Sequence, residues 1–135
     1  MKKSYREENT FEIRKACAQA VKQKIPDRLP IIVEPAQMRT NRISLPGLQT
    51  EDGRNLIKFL PPKHYTVGDF ICTLRRRLKL DSSQALILFT NHETQPPTLP
   101  PVAQPLNDVY RLYHDTDEFL YFQYCGESAF GSCSV

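Results

Sequence analysis

The sequence predicts an α+β fold, a roll in which four strands form a sheet that packs against one long helix. The helix is read from residues 66–78, whose apolar side chains recur at helical spacing: Val67, Phe70, Ile71, Leu74 and Leu78. Two short apolar runs typical of strands precede this helix and two follow it. Because the first and last strands then flank a crossing helix, we expect them to pair in parallel.

The N-terminal part is predicted to be helical before the chain becomes extended. A short helical turn is expected at about residues 4–8. A second helix is predicted over Phe11–Lys24, with Thr10 as its cap and Pro26 as its stop. The β-branched run "LPIIVE", residues 29–34, then predicts a buried strand.

The middle of the chain predicts a hairpin with a long connection. Residues 35–55 contain Pro, Gly, Asn and charged residues without a period, which is typical of a loop. The run "LIKFL", residues 56–60, predicts a second strand, which is closed by Pro61 and Pro62. Thr66 and Asp69 then have the spacing of a capping box at the start of the long helix.

The C-terminal part predicts two strands separated by a loop and a short helix. "ALILFT", residues 85–90, predicts the third strand. Residues 91–105 contain five prolines and predict a loop, with a polyproline ligand as the minority alternative. A short helix over Leu106–Tyr113 and a last strand over Phe119–Tyr124 complete the order.

Composition predicts one soluble domain. A chain of 135 residues with 40% hydrophobic content is long enough for a single core, which buries roughly two-thirds of the unfolded surface. No apolar run approaches the ~18 residues of a membrane span and no secretory signal is evident, so we expect a cytosolic protein. Cysteines at 17, 72, 125 and 133 lack any metal-site spacing, which predicts reduced thiols, no metal site and no cofactor.

Charge divides the chain into a basic and an acidic part. Residues 1–79 contain 17 of the 18 Lys and Arg residues against 8 acids, whereas residues 80–135 contain only Arg111 against 7 acids. A basic surface suits acidic protein partners or an anionic membrane. Nucleic acid is disfavoured because no nucleic-acid-binding motif accompanies the basic residues.

Several motifs resemble one family in the same order over nearly the whole chain. They are "YREEN", "PDRLPIIVE", "TVGDF", "LRRRL", "ALILFTN", "DEFLYFQY" and "ESAFG". In these motifs the chain resembles the GABARAP-type ubiquitin-like modifiers of autophagy, the autophagy-related 8 family. The resemblance implies a ubiquitin-like β-grasp roll with two additional N-terminal helices. It divides the chain into a helical subdomain (1–27), a ubiquitin-like domain (28–131) and a removable propeptide (132–135).

The resemblance also implies a reactive C-terminus at Gly131. A cysteine protease would cleave after this glycine, with Phe130 as a recognition handle. Activating and conjugating enzymes would then join the glycine to the amine of phosphatidylethanolamine. A glycine suits this chemistry because the absence of a Cβ leaves the carboxyl group open to attack. The protein would be a cytoplasmic monomer before processing and would lie on autophagosome membranes and cytoplasmic vesicles afterwards.

A peptide-binding site is the second implication. The strand at 56–60 would be an edge to which an extended ligand adds itself, and receptors would carry an aromatic-x-x-aliphatic motif. The resemblance assigns the pocket for the aromatic anchor to Val21, Pro30, Lys58, Leu60 and Phe119. It assigns the pocket for the aliphatic anchor to Phe59, Pro62, Tyr65, Phe70 and Leu74. A basic rim that meets the acids of the ligand is assigned to Lys24, Arg28, Lys58 and Arg77.

The chain departs from the family pattern at several positions that bear on pocket shape and partner preference. The 35–55 and 91–105 loops are longer than usual, and four residues differ from common family residues: Cys17, Ile57, Pro61 and Thr73.

Two other functions are consistent with the sequence. One is an unconjugated ubiquitin-like adaptor that only binds peptides. The other is an enzyme that uses Cys125 or Cys133 with one of the histidines His64, His92 and His114. The enzyme is disfavoured because no glycine loop for an oxyanion hole is evident, and we predict no catalytic residue.

Overall fold

The computed structural model describes residues 4–36, 57–80 and 82–126. Phe130, Gly131, the 132–135 propeptide and most of the 35–55 loop therefore lie outside the described residues. The described helices are α1 (Tyr5–Glu8), α2 (Phe11–Lys24), α3 (Val67–Leu78) and α4 (Leu106–Tyr113), and the strands are β1 (Ile31–Pro35), β2 (Ile57–Phe59), β3 (Ile87–Thr90) and β4 (Leu120–Cys125). The predicted α+β class and element order are confirmed.

The four strands form one mixed sheet in the order β2-β1-β4-β3. β1 pairs in parallel with β4 from Ile31 opposite Leu120 to Pro35 opposite Tyr124. The outer strands both pair antiparallel, β2 with β1 and β3 with β4. The predicted parallel pairing of the first and last strands and the predicted β1–β2 hairpin are therefore confirmed.

Successive residues of β1 divide the apolar residues between two faces of the sheet, because side chains alternate along a strand. Ile31 and Val33 join the main core, which is built on α3, whereas Ile32 joins a second cluster with Tyr5 of α1 and Ala18 of α2. The sheet is thus covered by α3 on one face and by α1 and α2 on the other.

All four strands, as the structure describes them, begin one or two residues later than predicted, β2 at Ile57 rather than residue 56 and β3 at Ile87 rather than residue 85. β1 begins at Ile31 rather than at Leu29, because the N–H of Leu29 donates to the carbonyl of Pro61 (3.0 Å) but Pro61 has no N–H to donate in return. β4 begins at Leu120 because the carbonyl of Phe119 accepts a hydrogen bond from the N–H of Asp115 and closes the preceding turn.

The N-terminus of α3 has the predicted capping box and a second set of partners that was not predicted. Thr66 Oγ1 accepts a hydrogen bond from the N–H of Asp69 (3.1 Å), and the Asp69 carboxylate accepts one from the N–H of Thr66 (3.0 Å). The N–H groups of Val67 and Gly68 donate to the carbonyls of Gln104 (2.9 Å) and Val102 (2.8 Å). The proline-rich loop therefore satisfies helix donors that would otherwise have no partner.

The cysteines follow the sequence prediction in part. Cys17 and Cys72 are free thiols. Cys125 is disulfide-bonded, so the prediction that all thiols are reduced is wrong for this residue in the structure. Pairing depends on the distance between cysteines in the fold, which their spacing in the sequence does not give.

Within the described ranges, every helix is too short or too polar to cross a bilayer.

Candidate functional site

The strand β2 lies at one edge of the sheet. It pairs with β1 on one side, and within residues 4–36, 57–80 and 82–126 no strand pairs with its other side. Such an edge presents backbone N–H and C=O groups to which an extended chain can add as another strand. The predicted edge position of this strand is confirmed.

One face of β2 lies beside α1 and α2. Lys58 is opposite Ile32 in the register, and its Nζ lies 4.9 Å from the centre of the Tyr5 ring. Tyr5 in turn packs edge-on against Phe119, with ring centres 5.5 Å apart. Leu60 follows two residues after Lys58 and is half-buried. On this face the Lys58 ammonium group therefore lies above the packed rings of Tyr5 and Phe119.

The residues predicted for the aromatic-anchor pocket differ in their exposure. Lys58 is exposed, Leu60 and Val21 are half-buried, Pro30 is buried, and Phe119 is only 2% exposed. Phe119 can therefore support a ligand from below but offers it little surface.

The other face of β2 lies beside α3. Phe59 packs edge-on against Phe70, with ring centres 5.3 Å apart, and the guanidinium carbon of Arg77 lies 5.3 Å from the centre of the Phe59 ring. Each face of the edge strand thus has a basic side chain over an aromatic ring, an arrangement that orients both cations.

The residues predicted for the aliphatic-anchor pocket are also divided between surface and core. Phe70 and Leu74 are fully buried and Phe59 is nearly so, whereas Pro62 and Tyr65 are half-buried. The buried members belong to the main core, so their contribution to a site is to hold the half-buried members in place.

The predicted rim residues are distributed around the strand. Arg28 donates from Nη1 to the carbonyl of Leu60 (2.7 Å), at the end of β2. Lys58 and Arg77 lie on opposite faces, and Lys24 is exposed in the last turn of α2. An acidic ligand therefore meets positive charge on both sides and at one end of the strand.

Three ion pairs link α1 and α2 to the turn before β4, and two of them involve buried carboxylates. They are Arg6–Asp115 (2.7 Å), Arg14–Asp117 (2.9 Å) and Lys22–Glu118 (2.8 Å). Asp115 and Asp117 are fully buried. Sequence reasoning missed these pairs, because about 100 residues separate the partners and no local pattern links them.

Burial shifts the titration of two groups in this region. It raises the pKa of the Asp115 carboxyl to about 6, against the opposing effect of the neighbouring Arg6 charge. It also raises the pKa of Tyr121, whose hydroxyl donates a hydrogen bond to the Asp117 carboxylate (2.6 Å).

Cys133 lies outside the described residues, and the described residues that were considered for an enzyme make other contacts. His64 packs edge-on against Tyr65, and His114 stacks on Tyr110. His92 accepts hydrogen bonds at Nδ1 from two backbone N–H groups, and the sulfur of Cys125 is in a disulfide. Within the part of the chain that the structure describes, no group of three His, Cys, Asp or Glu residues is placed to hold a metal ion.

The mixed sheet with a crossing helix, two added N-terminal helices and an open edge strand defines a ubiquitin-like protein. Residues 13–131 match the family model described as "Autophagy protein Atg8 ubiquitin like". The chain therefore belongs to the Atg8 family, and it is a ubiquitin-like protein of autophagy.

Curated relatives and a solved structure agree with this assignment. The chain is 35% identical to Autophagy-related protein 8e of Arabidopsis thaliana over 131 residues, which is 97% of this chain and 95% of the relative. It is also 35% identical to Autophagy-related protein 8 of Aspergillus niger over 133 residues, 98% of this chain and 100% of the relative. The crystal structure of Trypanosoma brucei ATG8 superposes with a TM-score of 0.74 at 35% identity, covering 97% of this chain and 100% of that one.

Proposed function

We propose that this protein is conjugated through Gly131 to phosphatidylethanolamine and recruits receptors to the autophagosome through the β2 edge. Family membership supports general engagement with the conjugation machinery and with receptors of autophagy. The observation that supports receptor binding is the edge position of β2, with Lys58 over Tyr5 on one face and Arg77 over Phe59 on the other.

The receptor would bind as an added strand. Backbone hydrogen bonds to β2 would supply part of the affinity, and alternate side chains of the ligand would point to opposite faces. Its aromatic anchor would contact the half-buried Leu60 and Val21, and its aliphatic anchor would contact Pro62 and Tyr65. Acidic residues beside the motif would be drawn to Lys24, Arg28, Lys58 and Arg77, which speeds and orients encounter.

The lipid would supply the membrane attachment. Cleavage after Gly131 would remove residues 132–135, with Phe130 as the handle for the protease. The two acyl chains of the conjugated lipid are sufficient for durable anchoring, where a single chain gives only marginal binding. The domain would then lie close to the membrane with its β2 edge open to receptors.

Two sets of variants should separate the two activities. The Lys58→Glu, Leu60→Ala double variant should lose about tenfold or more in affinity for a synthetic peptide with an acidic flank and a Trp-x-x-Leu core. Arg76→Glu with Leu99→Ala is the matched control, because both residues are exposed and lie outside the proposed site. Calorimetric titration measures both, and equal affinity of the two double variants would show that the peptide site is misplaced.

Gly131→Ala should have the opposite effects. It should abolish pelleting with membranes from cells while peptide affinity in solution stays unchanged. A chain truncated after Gly131 should be conjugated without the protease. Intact-mass measurement of the cellular protein decides between this function and an unconjugated adaptor, which would keep residues 132–135 and gain no lipid.

A further inference from the structure

A cavity of about 330 Å³ lies at the C-terminal end of α2, next to α4. Four of the residues that line it are basic: Lys22, Arg28, Lys63 and Arg111. The described residues that line the cavity include no acid. Its size lies in the range of sites for small organic ligands, and its charge indicates an anion.

The four cations come from four separate parts of the fold. Lys22 is on α2, Arg28 precedes β1, Lys63 follows β2, and Arg111 is on α4. They therefore approach the cavity from different directions. An anion that carries several phosphate groups can therefore contact cations from more than one of these directions.

The existing partners of these cations leave them available. Lys22 pairs with Glu118, Arg111 pairs with Asp108, Arg28 donates to the Leu60 carbonyl, and all four residues are exposed to water. Such exposed pairs are weak and are readily exchanged for a more highly charged anion. Among the described residues, no carboxylate pairs with Arg28 or Lys63.

Apart from Asn107, the remaining lining is apolar. Leu29, Pro30 and the Tyr110 ring are buried side chains that contribute to the cavity wall. The Tyr110 hydroxyl already donates to the carbonyl of Glu118 (2.6 Å), so Tyr110 offers its ring rather than a donor. The C–H face of a polyol ring suits such a wall, while its phosphates reach the surrounding guanidinium and ammonium groups.

We propose that this α2–α4 cavity binds an inositol polyphosphate, either as the free molecule or as the headgroup of a phosphoinositide lipid. The site is separate from the chemistry of Gly131. It shares only Arg28 and Pro30 with the residues assigned to the β2 site. An experiment can therefore refute the cavity site without refuting the β2 peptide site, and the reverse.

The test compares two double variants by calorimetric titration with inositol 1,4,5-trisphosphate. Lys63→Gln with Arg111→Gln removes two cavity charges, and both residues are exposed and outside the β2 site. Arg76→Gln with Lys79→Gln removes the same charge from the end of α3 and is the control. Lys22 and Arg28 are left intact because they also bond Glu118 and the Leu60 carbonyl.

We expect saturable binding by the unmodified protein and a loss of affinity of about tenfold or more in the cavity variant, with the control within about twofold. Absence of saturable binding would overturn the proposal. Equal losses in the two variants, or equal affinity for ATP, would also overturn it, because either shows attraction of polyanions by general charge. Thermal unfolding of each variant checks that the fold is kept.

A vesicle arm identifies the source of the ligand. Co-sedimentation is measured with two kinds of phosphatidylcholine vesicle. One contains 5% phosphatidylinositol 4,5-bisphosphate, and the other contains enough phosphatidylserine to give the same total negative charge. Preference for the phosphoinositide, lost in the cavity variant, assigns the site to the lipid headgroup. Binding of the soluble trisphosphate without that preference assigns it to the free molecule.

Discussion

Arg6 fixes the short helix α1 to the turn before β4. Its Nε donates to the Asp115 carboxylate (2.8 Å), and its guanidinium carbon lies 3.9 Å from the centre of the Tyr121 ring. A further hydrogen bond goes to the carbonyl of Asn91. Because Asp115 is fully buried, Arg6 is the positive charge that compensates a carboxylate removed from water.

The pKa of Asp115 gives this residue a calculable effect on stability. Burial raises it to about 6 from an ordinary value of 3.8, and the nearby Glu93 and Asp117 act in the same direction. Between those two values the folded state binds more protons than the unfolded state. The stabilising contribution is therefore complete below about pH 4 and is lost as pH rises through about 6.

Arg6→Ala should destabilise the protein more at neutral than at acidic pH. Without Arg6 the pKa of Asp115 rises further, so at pH 7.5 the folded protein must either keep an unpaired buried carboxylate or take up a proton, whereas at pH 5 the carboxyl is already protonated. We expect a cost of about 3 kcal/mol at pH 7.5 and at least ~1 kcal/mol less at pH 5. Urea unfolding at both pH values measures this, with Arg76→Ala as the exposed control, and equal costs at both would contradict it.

Individual residues also show which contacts could be predicted from the sequence and which could not. Lys58 and Arg77 were predicted through a resemblance, and the structure places both beside the edge strand. Arg6 and Asp115 were not paired in advance, because a contact between residues 109 apart depends on the completed fold. Phe70 and Leu74 were predicted both on the apolar face of the long helix and in a ligand pocket, and the structure buries both of them in the core.

Helix α3 shows which part of an element is encoded locally. Its capping box was predicted from the spacing of Thr66 and Asp69, and the hydrogen bonds confirm it. Its contact with the 91–105 loop was not predictable, because no sequence pattern indicates which N–H groups donate to the backbone carbonyls of a proline-rich segment. The loop also lies close to the helix, since a Cβ added to Gly68 would come 3.3 Å from the Val102 carbonyl.

Thr66→Ala should lower the free energy of unfolding by about 1 kcal/mol, because the N–H of Asp69 loses its side-chain acceptor. Thr66→Ser keeps the hydroxyl and should cost only a few tenths of this amount. Thermal and urea unfolding of the two variants measure the difference. If serine and alanine were equally destabilising, the loss would lie in packing of the threonine methyl group and not in the cap.

The edge strand β2 is only three residues long, which has a consequence for its stability. Its amides should exchange with solvent through local opening, whereas those of the central strands β1 and β4 should exchange only on global unfolding. Addition of the Trp-x-x-Leu peptide should slow exchange in β2 selectively. Native-state hydrogen exchange followed by NMR tests this, and a β2 as protected as β4 without peptide would contradict it.

The architecture of the molecule was predictable to a considerable extent. The spacing of apolar residues predicted the ends of the helices and strands to within about two residues. The rules for connections between strands predicted the parallel pairing of β1 with β4. The division of β1 between two clusters follows from strand alternation. The membership of the second cluster does not, because Tyr5 and Phe119 are far apart in the sequence and meet only in the folded protein.

The position of β4 determines when this domain can assemble during synthesis. β4 is the last of the four strands in chain order, yet it lies between β1 and β3 and joins them into one sheet. Its register pairs residue 31 with residue 120, so a loop of about 90 residues must close before the central pair forms. Such long-range pairing is slow relative to local helix formation. On the ribosome the N-terminal helices and the β1–β2 hairpin therefore cannot complete the sheet until β4 has emerged.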